Sequence, residues 1–127
     1  MVFSGTGILI SSMEVLPQED ADFNTWNDRE HMAERVAIPG FIDGRRYTSI
    51  DAPTRYLQIY NTRNIGVLDG PAYRAALANQ TDWSLHHITR FITPTRVVGR
   101  LVHSQGAVRG VAVLLLRLRP AGEPAML

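Results

Sequence analysis

The chain has 127 residues, 45% of them hydrophobic, a size suited to one domain whose core needs no covalent staples. Thirteen Lys and Arg against twelve Asp and Glu leave a formal charge of +1, so no global positive field recruits nucleic acid or an anionic membrane. With no cysteine, a disulfide framework, a thiol nucleophile, thiolate metal ligation and an iron–sulfur cluster are all excluded.

The first fifteen residues, MVFSGTGILISSMEV, hold a short apolar run with no basic stretch before it, which makes a poor secretion signal. The longest strongly apolar run, VAVLLL at 111–116, is far below the roughly 20 residues that cross a bilayer as a helix. A cytoplasmic protein with no membrane partner is expected. Within 7–15, isoleucine, leucine and valine are dense without a helical stripe, which predicts a strand. Pro17 suits a first helical turn, where Glu19, Asp20 and Asp22 place negative charge near the unpaired amides. That helix is expected to run to about residue 36 and stop at Ile38-Pro39-Gly40. At about 100° per residue, Phe23, Trp26, Ala33 and Ala37 share one face, Glu30 falls inside it, and Asn27, His31 and Glu34 lie along its flank.

Residues 41–49 predict a second strand and 56–61 a third, on which Leu57 and Ile59 oppose Tyr56, Gln58 and Tyr60. Pro71 opens a short alanine-rich helix to Ala78, and Thr81-Asp82-Trp83 begins a further turn before His86 and His87. Residues 88–100 predict a fourth strand, with Pro94 marking a sheet edge or a bulge. The order strand, helix, strand, strand, helix, strand is the ferredoxin-like βαββαβ pattern of an α+β domain with two helices covering the sheet. A fifth apolar strand is expected over 108–118. It echoes the first, because aligning Gly7-Ile8-Leu9-Ile10 with Gly110-Val111-Ala112-Val113 also aligns Pro17 with Pro120. The expected division is therefore a domain over 1–104, and over 105–127 the first strand of a second repeat or a strand-exchange tail. Such a strand must pair with its own sheet, another chain or a continuation beyond residue 127.

The segment 22–35, DFNTWNDREHMAER, followed by Ile38-Pro39-Gly40-Phe41 and Arg45-Arg46-Tyr47, resembles the dimeric α+β barrel superfamily and is closest to its EthD-like group and related uncharacterised bacterial proteins. The residues that carry the resemblance are Trp26, Glu30, His31, Pro39 and Gly40, joined by Tyr56-Leu57-Gln58-Ile59-Tyr60 and Pro71-Ala72-Tyr73. It implies a ferredoxin-like sheet closed into a barrel by a homodimer or by a tandem pseudo-dimer. It does not select a reaction, since monooxygenases, cyclases, isomerases, dehydratases and haem proteins share that fold.

His31 is the leading ionisable group because an imidazole exchanges protons near neutrality, and its bland reading is a hydrogen bond within the helix–strand seam. Glu30 needs a partner if it is buried, with Arg45 or Arg46 nearest beyond the Pro-Gly turn. Tyr47, Tyr56, Gln58 and Tyr60 are expected on the sheet face away from the helices, where they line a semi-polar cavity or pack against a second sheet. His86-His87 and His103 match no metal-ligand spacing, and Gly5-Thr6-Gly7 precedes its strand where a phosphate loop follows one, so neither a metal nor a cofactor is expected.

Two functions remain. In the first, a cofactor-independent lyase, isomerase or oxygenase acts on a small, partly aromatic molecule. His31 and Glu30 then move protons, Arg46 and Tyr60 steady the reacting oxygen, and Trp26, Tyr47, Tyr56 and Gln58 bind substrate. In the second, the same residues build a non-catalytic small-molecule-binding or oligomer-assembly domain. Haem is a narrower variant, which requires His31 or His86 as axial ligand.

Overall fold

The computed structural model describes residues 3–52 and 54–122. β1 (Gly7–Glu14) pairs antiparallel with both β3 (Tyr56–Thr62) and β4 (Ile92–Arg100), and β2 (Phe41–Thr48) pairs antiparallel with β3. The sheet order is β2-β3-β1-β4. This is the ferredoxin-like topology, and the two connections between outer and inner strands carry the helices. The barrel expected from the family resemblance is not formed. A sheet closes only when its two outermost strands hydrogen-bond to each other, and here β2 and β4 lie at opposite margins with two strands between them. The sheet is open, and the dimeric or tandem α+β barrel is corrected accordingly.

Pro94 lies on the edge strand β4, and the β1–β4 register shifts between Ser12 and Glu14, opposite the stretch that contains Pro94 and the positive-φ Thr93. The missing proline N–H thus falls where the ladder is already interrupted. β4 starts at Ile92 rather than residue 88, because α4 (Asp82–Ile88) takes that residue. The Thr81 hydroxyl caps α4 by accepting from the Ser84 amide.

The first helical connection is where the sequence pattern and the structure part. A 3₁₀ turn over Pro17–Glu19 leads into α1 (Asp20–Trp26), a π-helical turn over Asn27–His31, and α2 (Met32–Val36). In the π turn the Met32 amide reaches back five residues to the Asn27 carbonyl. One extra residue per turn rotates everything after it. The buried positions are Phe23, Trp26, Asn27, His31 and Arg35, while Ala33 is exposed and Glu30 only half-buried. The apolar stripe expected to continue through Ala33 and Ala37 is replaced by a polar one.

All helices cover one sheet face. Leu9, Ile38, Phe41, Tyr60, Leu68 and Tyr73 form one core cluster, and Met13, Val15, Phe23, Trp26 and Tyr56 the other. α3 (Pro71–Ala78) contributes Tyr73 to the first of these, and the Tyr73 hydroxyl accepts from Arg96 on β4 at 3.2 Å. By strand alternation the second face carries Ile8, Ile10, Leu57, Ile59 and Val97, with Asp43, Arg45 and Tyr47 on β2. No helix among the described residues is long and apolar enough to cross a membrane.

Residues 101–122 contain no helix or strand, so the expected fifth strand over 108–118 does not pair with the sheet of its own chain. The Leu101 amide donates to the Thr6 carbonyl at 2.7 Å, and Arg109 ion-pairs with Asp43 at 2.7 Å. Val113 and Leu115 are about 40% exposed while Val111, Leu114, Leu116 and Leu118 stand largely in solvent.

Candidate functional site

The π turn delivers Asn27 and His31 to the seam between the helices and β3. Gln58 and Tyr60 rise from β3 beneath them. The Tyr60 hydroxyl donates to Gln58 Oε1 at 3.1 Å, and Gln58 Nε2 donates to Asn27 Oδ1. Gly44 on β2 makes room for this row: a Cβ there would fall 2.9 Å from the Tyr60 ring and 2.5 Å from Met32 Sδ. Trp26, fully buried, stacks between two imidazoles, with ring centroids 4.3 Å from His31 and 5.1 Å from His87. Its indole N–H donates to the Ser84 hydroxyl at 3.1 Å, which fixes the ring plane.

Burial, reinforced by the positive charges of Arg35 and Arg46, pushes the His31 imidazole down to about 3. At physiological pH it is uncharged and has no imidazolium proton to give. Burial also holds the Tyr60 phenol well above its ordinary range, so it stays protonated and donates. Two polar atoms of this seam are buried with no hydrogen-bond partner among the described residues: Asn27 Nδ2 and His31 Nδ1. Buried polar groups in folded proteins are nearly always paired, so two such atoms on one helix distinguish this seam.

Around the seam, Arg46 donates to Asn24 Oδ1 at 2.8 Å and to Asp28 Oδ1 at 3.0 Å, with its guanidinium over the Phe23 and Tyr56 rings. Tyr56 accepts from Asn24 Nδ2 and donates to the Asp20 carboxylate, and burial raises its phenol. Arg35, 6% exposed, donates to Gln80 Oε1 at 3.1 Å.

The structure therefore brings together Trp26, His31, Gln58 and Tyr60, with Tyr56 and Arg46 beside them. It separates two residues from that group. Glu30, rotated by the π turn, accepts from the hydroxyls of Thr81 at 2.8 Å and Ser84 at 3.3 Å rather than from Arg45 or Arg46. Tyr47 sits on the opposite sheet face, paired across from Leu57. The sheet face is also reversed from expectation, since Tyr56, Gln58 and Tyr60 lie under the helices. Arg35 was missed, and it continues the four-residue series Asn27, His31, Arg35 that the sequence displays.

Two clefts open elsewhere. One of about 480 Å³ lies at the end of β1, lined by Glu14, Val15, Pro17, Asp20, Arg55 and Ile92 among others. There Arg55 donates to Glu14 at 2.8 Å and holds its carboxyl below the usual range. The other, of about 390 Å³, is formed by Arg117, Leu118 and Arg119. No histidine lines either cleft, so neither offers a haem slot with an axial ligand.

No family model matches the chain, and no curated protein matches it. Solved structures do. A dimeric ferredoxin-like protein from an uncultured marine organism is 10% identical with a TM-score of 0.65, covering 85% of this chain and 97% of its own. The haem-degrading protein MhuD of Mycobacterium tuberculosis, with two haems bound in its active site, is 16% identical with a TM-score of 0.55, covering 79% and 99%. A protein of the ethyl tert-butyl ether degradation family from Bacillus halodurans is 14% identical with a TM-score of 0.56, covering 74% and 96%. At these identities the likeness is one of fold. It supports the ferredoxin-like topology, while the open sheet overturns the assignment to a closed-barrel family.

Proposed function

We propose that the helix–sheet seam is a small-molecule site for a partly aromatic compound bearing a carbonyl or ionised oxygen, and that the protein is a lyase, isomerase or oxygenase acting on it. The observation that carries this reading is the pair of buried, unpartnered atoms Asn27 Nδ2 and His31 Nδ1. An amide N–H is a donor, and a neutral imidazole nitrogen donates or accepts according to tautomer, so the pair suits a ligand oxygen with its attached proton or lone pairs. Arg35 and Arg46 impose a positive potential that also favours charge developing on that oxygen. His31 acts here as a neutral hydrogen-bonding group rather than as a proton shuttle.

The test is a thermal-shift screen with hydroxylated aromatic ketones and carboxylates, repeated on Tyr60→Phe, Asn27→Leu and Arg55→Ala. A compound that raises Tm in the wild type and in Arg55→Ala, but not in Asn27→Leu, supports the seam. A compound that needs Arg55 and ignores Asn27 moves the site to the cleft at the end of β1 and contradicts the proposal.

A second reading, an assembly domain, is favoured by a different observation. The face bearing Ile8, Ile10, Leu57, Ile59 and Val97 has no covering helix, its Ile10, Leu57 and Val97 are only half-buried although Ile8 and Ile59 are buried, and the apolar residues 111–118 form no strand with their own sheet. A homodimer would cover the rest of that face, and the ferredoxin-like marine protein is dimeric. The two readings are compatible, because they use opposite faces of one sheet.

A further inference from the structure

The last turn of α4 meets the start of α1, and four metal-competent side chains meet there. His86 Nε2 lies 2.8 Å from Glu19 Oε2, and His87 Nε2 lies 2.7 Å from Asp22 Oδ2. One ligand atom from each of Glu19, His86 and His87 falls within 4.8 Å of the other two. Adjacent histidines on a helix project about 100° apart, which is why the dipeptide matches no spacing motif. Their convergence depends on carboxylates more than sixty residues earlier in the chain.

The constellation is built rather than accidental. His87 has its side chain 1% exposed, its face on Trp26 and its edge on Phe23, so the ring cannot swing away. The His86 side chain is 40% exposed, leaving an approach from solvent. Asp22 follows Glu19 by three residues, on the same side of the helix entry. The Trp83 indole N–H donates to Asp22 at 2.8 Å, and together with His87 it keeps this carboxyl below its ordinary range.

We propose that Glu19, His86 and His87 form a binding site for a late first-row divalent cation of the zinc type, with Asp22 as fourth ligand or as the outer carboxylate of His87. Two imidazoles and a carboxylate are the donor set such ions prefer. In the metal-free chain each imidazole–carboxylate contact is a hydrogen bond that needs a proton. A cation replaces those protons and sets the ligand atoms about 3.3 Å apart, the edge of a tetrahedron with bonds of roughly 2.0–2.1 Å. Opening the 2.8 Å Glu19–His86 contact and closing separations of at most 4.8 Å to that value is within the reach of the partly exposed His86 and Glu19 side chains. The bound ion pins α4 to α1 beside Trp26, which also stacks with His31. This inference does not depend on the seam's binding a small molecule.

The experiment is a titration of the intact protein with zinc, and separately with cobalt(II), at pH 7.5. Both tryptophans touch the site, Trp26 by stacking on His87 and Trp83 by its bond to Asp22, so intrinsic fluorescence reports occupancy directly. The expected result is one ion per chain at micromolar concentration, with a fluorescence change, a higher Tm, and visible cobalt absorption of a four-coordinate N/O site. Glu19→Gln and His86→Ala, both at partly exposed positions, should each weaken binding at least tenfold, and His103→Ala should leave it unchanged. Absence of stoichiometric binding in the wild type overturns the proposal. So does binding that survives the Glu19→Gln/His86→Ala double variant, or binding that is lost on His103→Ala.

Discussion

His31 shows how a single side chain's surroundings change its chemistry. In sequence it is a histidine beside a glutamate, an obvious acid–base pair. In the fold it lies under Trp26, near Arg35 and Arg46, with its folded-state value at about 3 against an ordinary 6.5. The unfolded chain therefore takes up a proton that the folded chain refuses, and stability attributable to this residue is intact above about pH 6.5 and falls as pH drops toward 3. At pH 5 the loss is about 2 kcal/mol. His31→Phe, which keeps a ring against Trp26, should remove that pH dependence and leave stability at pH 7.5 unchanged or raised, since the orphan Nδ1 disappears with it. Urea unfolding of both proteins at pH 7.5 and pH 5 checks this. Equal pH sensitivity in the two would show that His31 is not the group being protonated. Asn27, by contrast, was readable as a residue on the same helix flank as His31, and the structure adds that its amide donor is unpaired among the described residues.

At the scale of elements, strands and turns were legible because their signals are local. β1, β2 and β3 begin where alternation and the Pro-Gly turn place them, Pro71 opens α3, and Pro94 sits on an edge. The site was less legible for one reason: the π turn at Asn27–His31 has no propensity signature, yet it moves every later side chain around the helix. A strict 3.6-residue wheel therefore buries Glu30 and Ala33, whereas the chain buries His31 and Arg35. Glu30 then serves as an acceptor for the hydroxyls at the start of α4, which gives Thr81 two roles. Thr81→Ala removes the helix cap and one of the two hydroxyls that Glu30 accepts from, so it should destabilise the fold by about 1–2 kcal/mol in chemical denaturation. Thr81→Ser should recover most of that. Equal losses for both would mean that the hydroxyl is not what matters.

For the whole molecule, the sequence pattern shows the four strands of the sheet, adds a fifth over 108–118 that does not form, and does not show which sheet face the helices choose. Tyr56, Gln58 and Tyr60 look amphipathic enough for an open face, and they are buried because Asn24 and Asn27 descend from the helix to meet them. The face without helices is instead the one holding Leu57 and Ile59, on which Ile8 and Ile59 are buried while Ile10, Leu57 and Val97 are half-buried. If it is covered by a second copy, sedimentation equilibrium should show a dimer that dissociates in Leu57→Asp and in Val113→Asp/Leu115→Asp, whereas a wild-type monomer across micromolar concentrations would sink the assembly reading. The seam lies on the other side of the sheet: a buried, neutral, hydrogen-bonding cluster in which Asn27 Nδ2 and His31 Nδ1 are unpaired among the described residues. The most direct measurement is a nitrogen-15 NMR titration that follows the Asn27 side-chain amide, the His31 ring and the Arg55 guanidinium as hydroxylated aromatic ketones are added. The account predicts selective movement of Asn27 and His31, with His31 remaining a neutral tautomer from pH 8 to pH 5. Perturbation confined to Arg55 and the cleft at the end of β1, with Asn27 and His31 unmoved, would contradict it.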